Sequence, residues 1–205
     1  MSAQPPASQP VYTNIPELEI RLLYAMAVAG KSAQMVDSAI RRLLGKLRAG
    51  ETAFQCVRRL VKEKALDQAL REARIGNYGK LTRGFAEAAE SSLDLALCPP
   101  DQLEKIHGIG PKTARFFIIW TRPQARYAAL DTHVLKYLRY LGFNAPEATP
   151  SDPKRYAALE KAFLAEADKR GMSPRELDAQ IWDWCKDRRQ VNGEWPAALR
   201  RRDAA

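Results

Sequence analysis

Long apolar runs are missing from this sequence. A membrane-crossing helix needs about 18 consecutive apolar residues, and no stretch comes close. The opening residues, MSAQPPASQPVYTN, lack the basic-then-apolar order of a secretory signal. Residues 1–14 therefore read as a flexible leader, and the protein as intracellular. Cysteine is scarce: Cys56, Cys98 and Cys185 stand far apart. Three scattered thiols make neither a disulfide framework nor a zinc or iron–sulfur ligand set, so free buried thiols and no bound metal are expected. Sustained strand-like alternation is absent, which argues against any sizeable sheet. No internal repeat appears at the periods that mark solenoids.

What is present is positive charge and helical periodicity. There are 33 Lys and Arg against 24 Asp and Glu, a formal net charge of +9. Such an excess favours a polyanionic partner, nucleic acid first, although a basic protein without one has the same composition. Apolar residues recur at three-to-four spacing over 16–30 and 32–50, both ending on glycine, as helices do. TAFQCVRRLVKEKA and LDQALREARIG predict two shorter helices, and NYGKLTRGFAEAAESSLDLAL a longer one that runs to Pro99-Pro100. DQLEKI, PKTARFFIIWT, DTHVLKYLRYLGF, PKRYAALEKAFLAEADKRG and SPRELDAQIWDWCKDRRQ continue the pattern. Residues 191–205 carry Arg200, Arg201 and Arg202 and read as a basic, frayed tail.

Between DQLEKI and PKTARFFIIWT lies His107-Gly108-Ile109-Gly110. Two glycines permit backbone angles that other residues resist, and they leave successive N–H groups bare. Pro111 suits the first position of the next helix, whose amides and partial positive charge would face the same anion. The result is a phosphate cradle that ignores base identity, with Ile109 plugged inward. This is a helix-hairpin-helix signature, spanning about 101–121. Asp131 follows Lys112 by nineteen residues and precedes another apolar-periodic run, so it is a good helix cap. The helix from 111 to 121 would be roughly 16 Å long, and the link 122–130 can reach roughly 30 Å. The chain can therefore double back and set an amine and a carboxylate before one cavity.

Gly108-Ile109-Gly110-Pro111-Lys112-Thr113-Ala114, followed by Leu130-Asp131-Thr132-His133, resembles the helix-hairpin-helix DNA glycosylases, the superfamily of endonuclease III and the 8-oxoguanine DNA glycosylases. The resemblance covers roughly residues 16–190. It implies an all-α, two-lobed fold with the active site in the groove between lobes. A central helical barrel would span 31–131, and 15–30 would join 132–190 in the other lobe. It implies Lys112 as nucleophile and Asp131 as the essential carboxylate. The chemistry is consistent. Breaking a glycosidic bond builds positive charge on the sugar, which a carboxylate stabilises. A lysine attacks only when neutral, and partial burial at a helix N-terminus lowers its pKa. A lysine here implies a bifunctional glycosylase and AP lyase; Lys112 would otherwise be an ordinary phosphate contact.

The target base must leave the stack. Asp178 and Trp182, one helical turn apart, resemble the acidic and aromatic residues that meet the flipped purine in archaeal 8-oxoguanine glycosylases. A core tryptophan beside a solvated aspartate is the plain alternative. Further DNA-binding candidates are His107, Gly108, Ile109, Gly110 and His133, together with Lys31, Ser32 and Gln34 in the wedge region and Lys80 and Arg83 near the cavity entrance. The hairpin carbonyls would admit a monovalent cation; no other cofactor is expected. The four-cysteine motif of endonuclease III is absent, so no iron–sulfur cluster is expected. The implied function is excision of an oxidised base, 8-oxoguanine first, from double-stranded DNA by a monomer with no membrane association. Two alternatives stay open: a phage-type transferase acting on a flipped, modified thymine, and a non-catalytic binder of damaged DNA.

Overall fold

The computed structural model describes residues 14–186 and 195–200. Among them the chain is all helical, with no strand, and no helix is long and apolar enough to cross a membrane. Of the leader expected at 1–14, only Asn14 is among the described residues. The chain divides between Arg122 and Pro123 into two compact units.

The first unit holds α1 (Ile15–Ala27), α2 (Ala33–Leu44), α3 (Ala53–Lys62), α4 (Leu66–Glu72), α5 (Tyr78–Glu90), α6 (Pro100–Leu103) and α7 (Pro111–Thr121). Each start has a local cause. Pro16 lies in the first turn of α1, Ser32 accepts the Met35 N–H at the head of α2, and Thr52 and Gln55 close a reciprocal capping box on α3. Leu18, Leu22, Leu23 and Met26 line the buried stripe of α1, and each contributes roughly 1.5–3 kcal/mol by leaving water. That stripe packs on α7, α2, α3 and α5. One buried acid serves the packing as well: Glu19 accepts the Phe54 N–H at 2.9 Å and so caps α3 from another helix.

Two expectations are corrected here. Residues 15–30 were expected to join 132–190. Instead α1 belongs to the first unit, because its apolar stripe is used up by α7 and its neighbours, and the expected barrel ends at Arg122 rather than 131. The helix expected to run from Asn77 to Leu97 stops at Glu90. Ser91 turns to extended backbone and its hydroxyl donates to the Ala88 carbonyl. Asp94 then accepts the Ala96 N–H and fixes a turn.

The second unit holds α8 (Thr132–Tyr140), α9 (Pro153–Arg170) and α10 (Pro174–Lys186), followed by a single 3-10 turn at Ala197–Leu199. Asp152 caps α9 by accepting from Lys154 and Arg155. Gly171, at φ +66°, ends it in the left-handed region that glycine favours. Ser173 and Glu176 cap α10 reciprocally. Leu135, Tyr137, Leu138, Tyr156, Phe163, Leu177 and Ile181 form the core.

The tail expected to fray does not do so between Trp195 and Arg200. Trp195 is buried in this core, stacked on Trp184 with ring centroids 3.9 Å apart and edge-on to Tyr137 at 5.0 Å. Arg170 donates to the carbonyls of Ala198 and Arg200 and is held by Glu166. The aromatic area buried by Trp195 outweighs the fraying tendency of the short segment. Residues 187–194 and 201–205, which include the end of the expected lobe and most of the tail's arginines, lie outside the described residues.

Candidate active site and nucleic-acid interface

The glycine turn between α6 and α7 is built as a bare backbone surface. Ile109 is buried, 4% exposed, and its N–H closes the turn on the Ile106 carbonyl at 3.0 Å. Gly108 sits at φ +84°, where an L side chain is strained. Gly110 does not need such freedom: its φ of −99° is open to any residue. What its missing side chain leaves is room, since nothing lies within 4 Å of a Cβ built there. Among the described residues no acceptor meets the N–H groups of Gly108, Gly110 or Lys112. Pro111 opens α7 as expected.

The turn is held from α5. Glu87 accepts the His107 N–H at 2.6 Å and the Arg83 Nε–H at 2.8 Å, and these two partners, Arg83 first, hold its carboxyl below the usual range. Arg83 is thus the outer partner of a hairpin strut rather than a free surface cation. Gly84 explains how α5 comes so close: a Cβ there would stand 2.5 Å from the His107 carbonyl oxygen. Lys80 lays its stem across Gly108, its Cε 2.8 Å from where a Cβ of that residue would be.

Lys112 lies in the first turn of α7, half-buried. Its ammonium stands 4.9 Å from the Phe116 ring centroid, one helical turn on, an attraction between cation and π-face. No carboxylate is bonded to it among the described residues.

Asp131 lies in the second unit, half-buried, at the head of α8. One oxygen, Oδ1, accepts the N–H groups of His133 and Val134, each at 2.9 Å. The other, Oδ2, has no hydrogen-bond partner among the described residues. The carboxylate is therefore fixed by its cap and still has lone pairs to offer. The segment leading into it is also fixed. Tyr156 donates its hydroxyl to the Ala128 carbonyl at 2.8 Å and accepts the Leu130 N–H at 3.2 Å. Glu160 accepts the Ala128 N–H, and Thr149 donates to the Leu130 carbonyl. Four bonds from α9 and the loop before it thus set where Asp131 begins.

On α10, Asp178 is 7% exposed and Trp182 is half-buried one turn later, with the Lys186 ammonium 4.7 Å from its ring. The spacing expected of the pair is present, but Asp178 is no solvated aspartate and Trp182 no fully buried core residue. Cys185 is half-buried rather than buried like Cys56 and Cys98. Burial raises its pKa to about 11, with Lys136 opposing and Asp131 adding to the rise. Lys136 also lies 5.0 Å over the ring of Trp184.

Lys31, Ser32 and Gln34 divide in their surroundings. The Lys31 ammonium donates to the Ile75 carbonyl at 2.6 Å, Ser32 is spent on capping α2, and Gln34 is exposed in the first turn of that helix. The sequence reading passed over Glu87, Tyr156 and Thr149, the residues that hold the turn and Asp131. Glu87 carried one signal, its place four residues after Arg83, which reads only as a helix-face ion pair. Tyr156 and Thr149 carried none. No group of His, Cys, Asp and Glu among the described residues is arranged to hold a metal ion. In comparisons with known proteins, no family model, curated protein or solved structure matches this chain.

Proposed function

We propose that this chain is a DNA repair enzyme of the helix-hairpin-helix glycosylase type, which excises an oxidised base, 8-oxoguanine first, and nicks the resulting abasic site. The observation that carries the reading is the contrast between two side chains. Lys112 follows a bare glycine turn with its amine bonded to no acid among the described residues, and Asp131 is locked by one oxygen while the other has no partner among them.

In this reading the amides at Gly108, Gly110 and Lys112 take a backbone phosphate. The Lys112 amine attacks C1′, the glycosidic bond breaks, and the base leaves with the bonding electrons and gains a proton. Asp131 offsets the positive charge that grows on the sugar. Loss of the second proton on nitrogen and opening of the sugar ring give a Schiff base. Removal of a C2′ proton then expels the 3′ phosphate. Trp182 and Asp178 are the side chains assigned to the flipped base.

Borohydride tests this directly, because hydride delivered to the C=N bond fixes enzyme to DNA as a stable amine. The expected result is a trapped adduct with an 8-oxoguanine or abasic duplex, and none with Lys112→Ala. Lack of any adduct or released base across a panel of 8-oxoguanine, thymine glycol, uracil and abasic duplexes would overturn it. Bound but unaltered DNA would then point to a binder, and a mass gain on its bases after incubation with group donors to a transferase.

A further inference from the structure

Lys31 and Lys80 raise a question the catalytic reading leaves unanswered: why two ammonium groups share one corner of the first unit with no acid bonded to either among the described residues. We propose that they form a clamp for a single DNA phosphodiester, adjoining the glycine turn but distinct from its amides. The proposal rests on the DNA reading above and deepens it.

The site is assembled from three segments. Lys31 precedes α2 and spends one of its three N–H donors on the Ile75 carbonyl, which leaves two. Its Nζ stands 3.4 Å from where a Cβ of Gly76 would be, and Gly76 holds φ +73°. Lys80, two residues into α5, is exposed and crosses Gly108 with all three donors unspent. The Lys31 amine and the Lys80 stem thus lie against glycines, at places where backbone rather than side chain forms the surface. The two feel each other: burial first, and then the charge of Lys80, lower the pKa of Lys31.

Among the described residues no carboxylate is bonded to either lysine. Those on the neighbouring elements are committed elsewhere: Glu87 to Arg83 and the His107 N–H, Asp67 to Arg71, and Glu72 to Lys46 and Gln68. The other charges beside this loop are also positive, since Arg42 of α2 donates to the Ala73 carbonyl and Arg74 is exposed at φ +57°. Like charges held together are destabilising unless an anion joins them. A phosphodiester supplies two non-bridging oxygens, enough to accept from both lysines at once.

The test measures affinity for a duplex against salt, with wild type, Lys31→Met, Lys80→Met and the double variant, each checked for an unchanged melting point. A phosphate contact contributes about 0.9 to the slope of log K against log salt. One shared phosphate predicts a total loss of about 0.9 in the double variant, less than the sum of the two single losses. Exposed Lys80 can be replaced without disturbing the fold, so its variant keeps the test open even where Lys31→Met destabilises the chain. A second arm follows the Lys31 side-chain amine by NMR. It is expected to shift on adding duplex and on adding inorganic phosphate, and not with chloride at equal ionic strength. DNA binding with unaltered slopes overturns the clamp alone, as does additive loss from two independent contacts. A shift with inorganic phosphate but not with bound duplex makes it a free-phosphate site and overturns it too. A wild-type chain that binds no DNA overturns the functional reading and the clamp together.

Discussion

Replacing Tyr156 with phenylalanine removes one oxygen from the support of Asp131 and leaves the packing intact. Tyr156 is 2% exposed, and its hydroxyl joins the carbonyl of Ala128 to the N–H of Leu130, two residues that are fully buried. Without it both backbone groups lose a partner where water is scarce. A buried group so orphaned costs about 1–3 kcal/mol, and the 3.2 Å bond to Leu130 N–H is the weaker of the two. The second unit should therefore lose roughly 2–4 kcal/mol. For a unit of this size each kcal/mol moves the midpoint by about 4–8 °C, so a fall of about 8–32 °C is expected by calorimetry. Amide exchange at Leu130 should speed up, and base release should fall more than duplex affinity does, since Asp131 shifts while the glycine turn does not. A melting loss under about 3 °C would refute the idea that these bonds hold the segment, because that is below one average hydrogen bond.

Asp131→Asn keeps a good helix cap, so melting should stay near wild type while base release in single-turnover assays drops by about 100-fold or more, as for loss of a charge stabiliser. Glu51 is held down to about 2 by its bond to Arg59 and by the Arg48 N–H. Its folded value lies below its unfolded value, so its stabilising effect is complete above the usual carboxylate range and fades as pH falls toward 2. Acid melts of wild type against Glu51→Gln should therefore converge at low pH and separate at neutral pH. Cys185, raised to about 11, should react with iodoacetamide at neutral pH on the order of 100-fold more slowly than a free thiol, as followed by intact mass. An ordinary rate there would mean that the partial burial of this thiol does not hold its proton as described.

The parts of the fold that local rules govern were legible in advance. Pro111 opens α7, Asp131 caps α8, and Ile109 points inward, because each depends on a few neighbouring residues and on backbone geometry. The errors arose where distant partners decide. An amphipathic stripe such as that of α1 announces that it will be buried but not against what, so its unit was misassigned. Ser91 and Asp94 ended α5 by side-chain bonds that apolar periodicity does not register. Gly110 was assigned to unusual angles, whereas its use is empty space. At the candidate site, Lys112 and Asp131 could be nominated from sequence, but not what holds them in place. Their supports, Glu87 and Tyr156, are held by contacts twenty or more residues away in the chain.

The position of Trp195 also dictates an order of events during synthesis. A ribosome making this chain has finished every residue of the first unit by Arg122 and all of α10 by Lys186 before Trp195 is added. Trp184 meanwhile lacks the ring that stacks on it, and Arg170 lacks the carbonyls it will grip. The first unit can thus mature on the nascent polypeptide, while the half that carries Asp131 waits with an open aromatic seam until translation has passed Trp195.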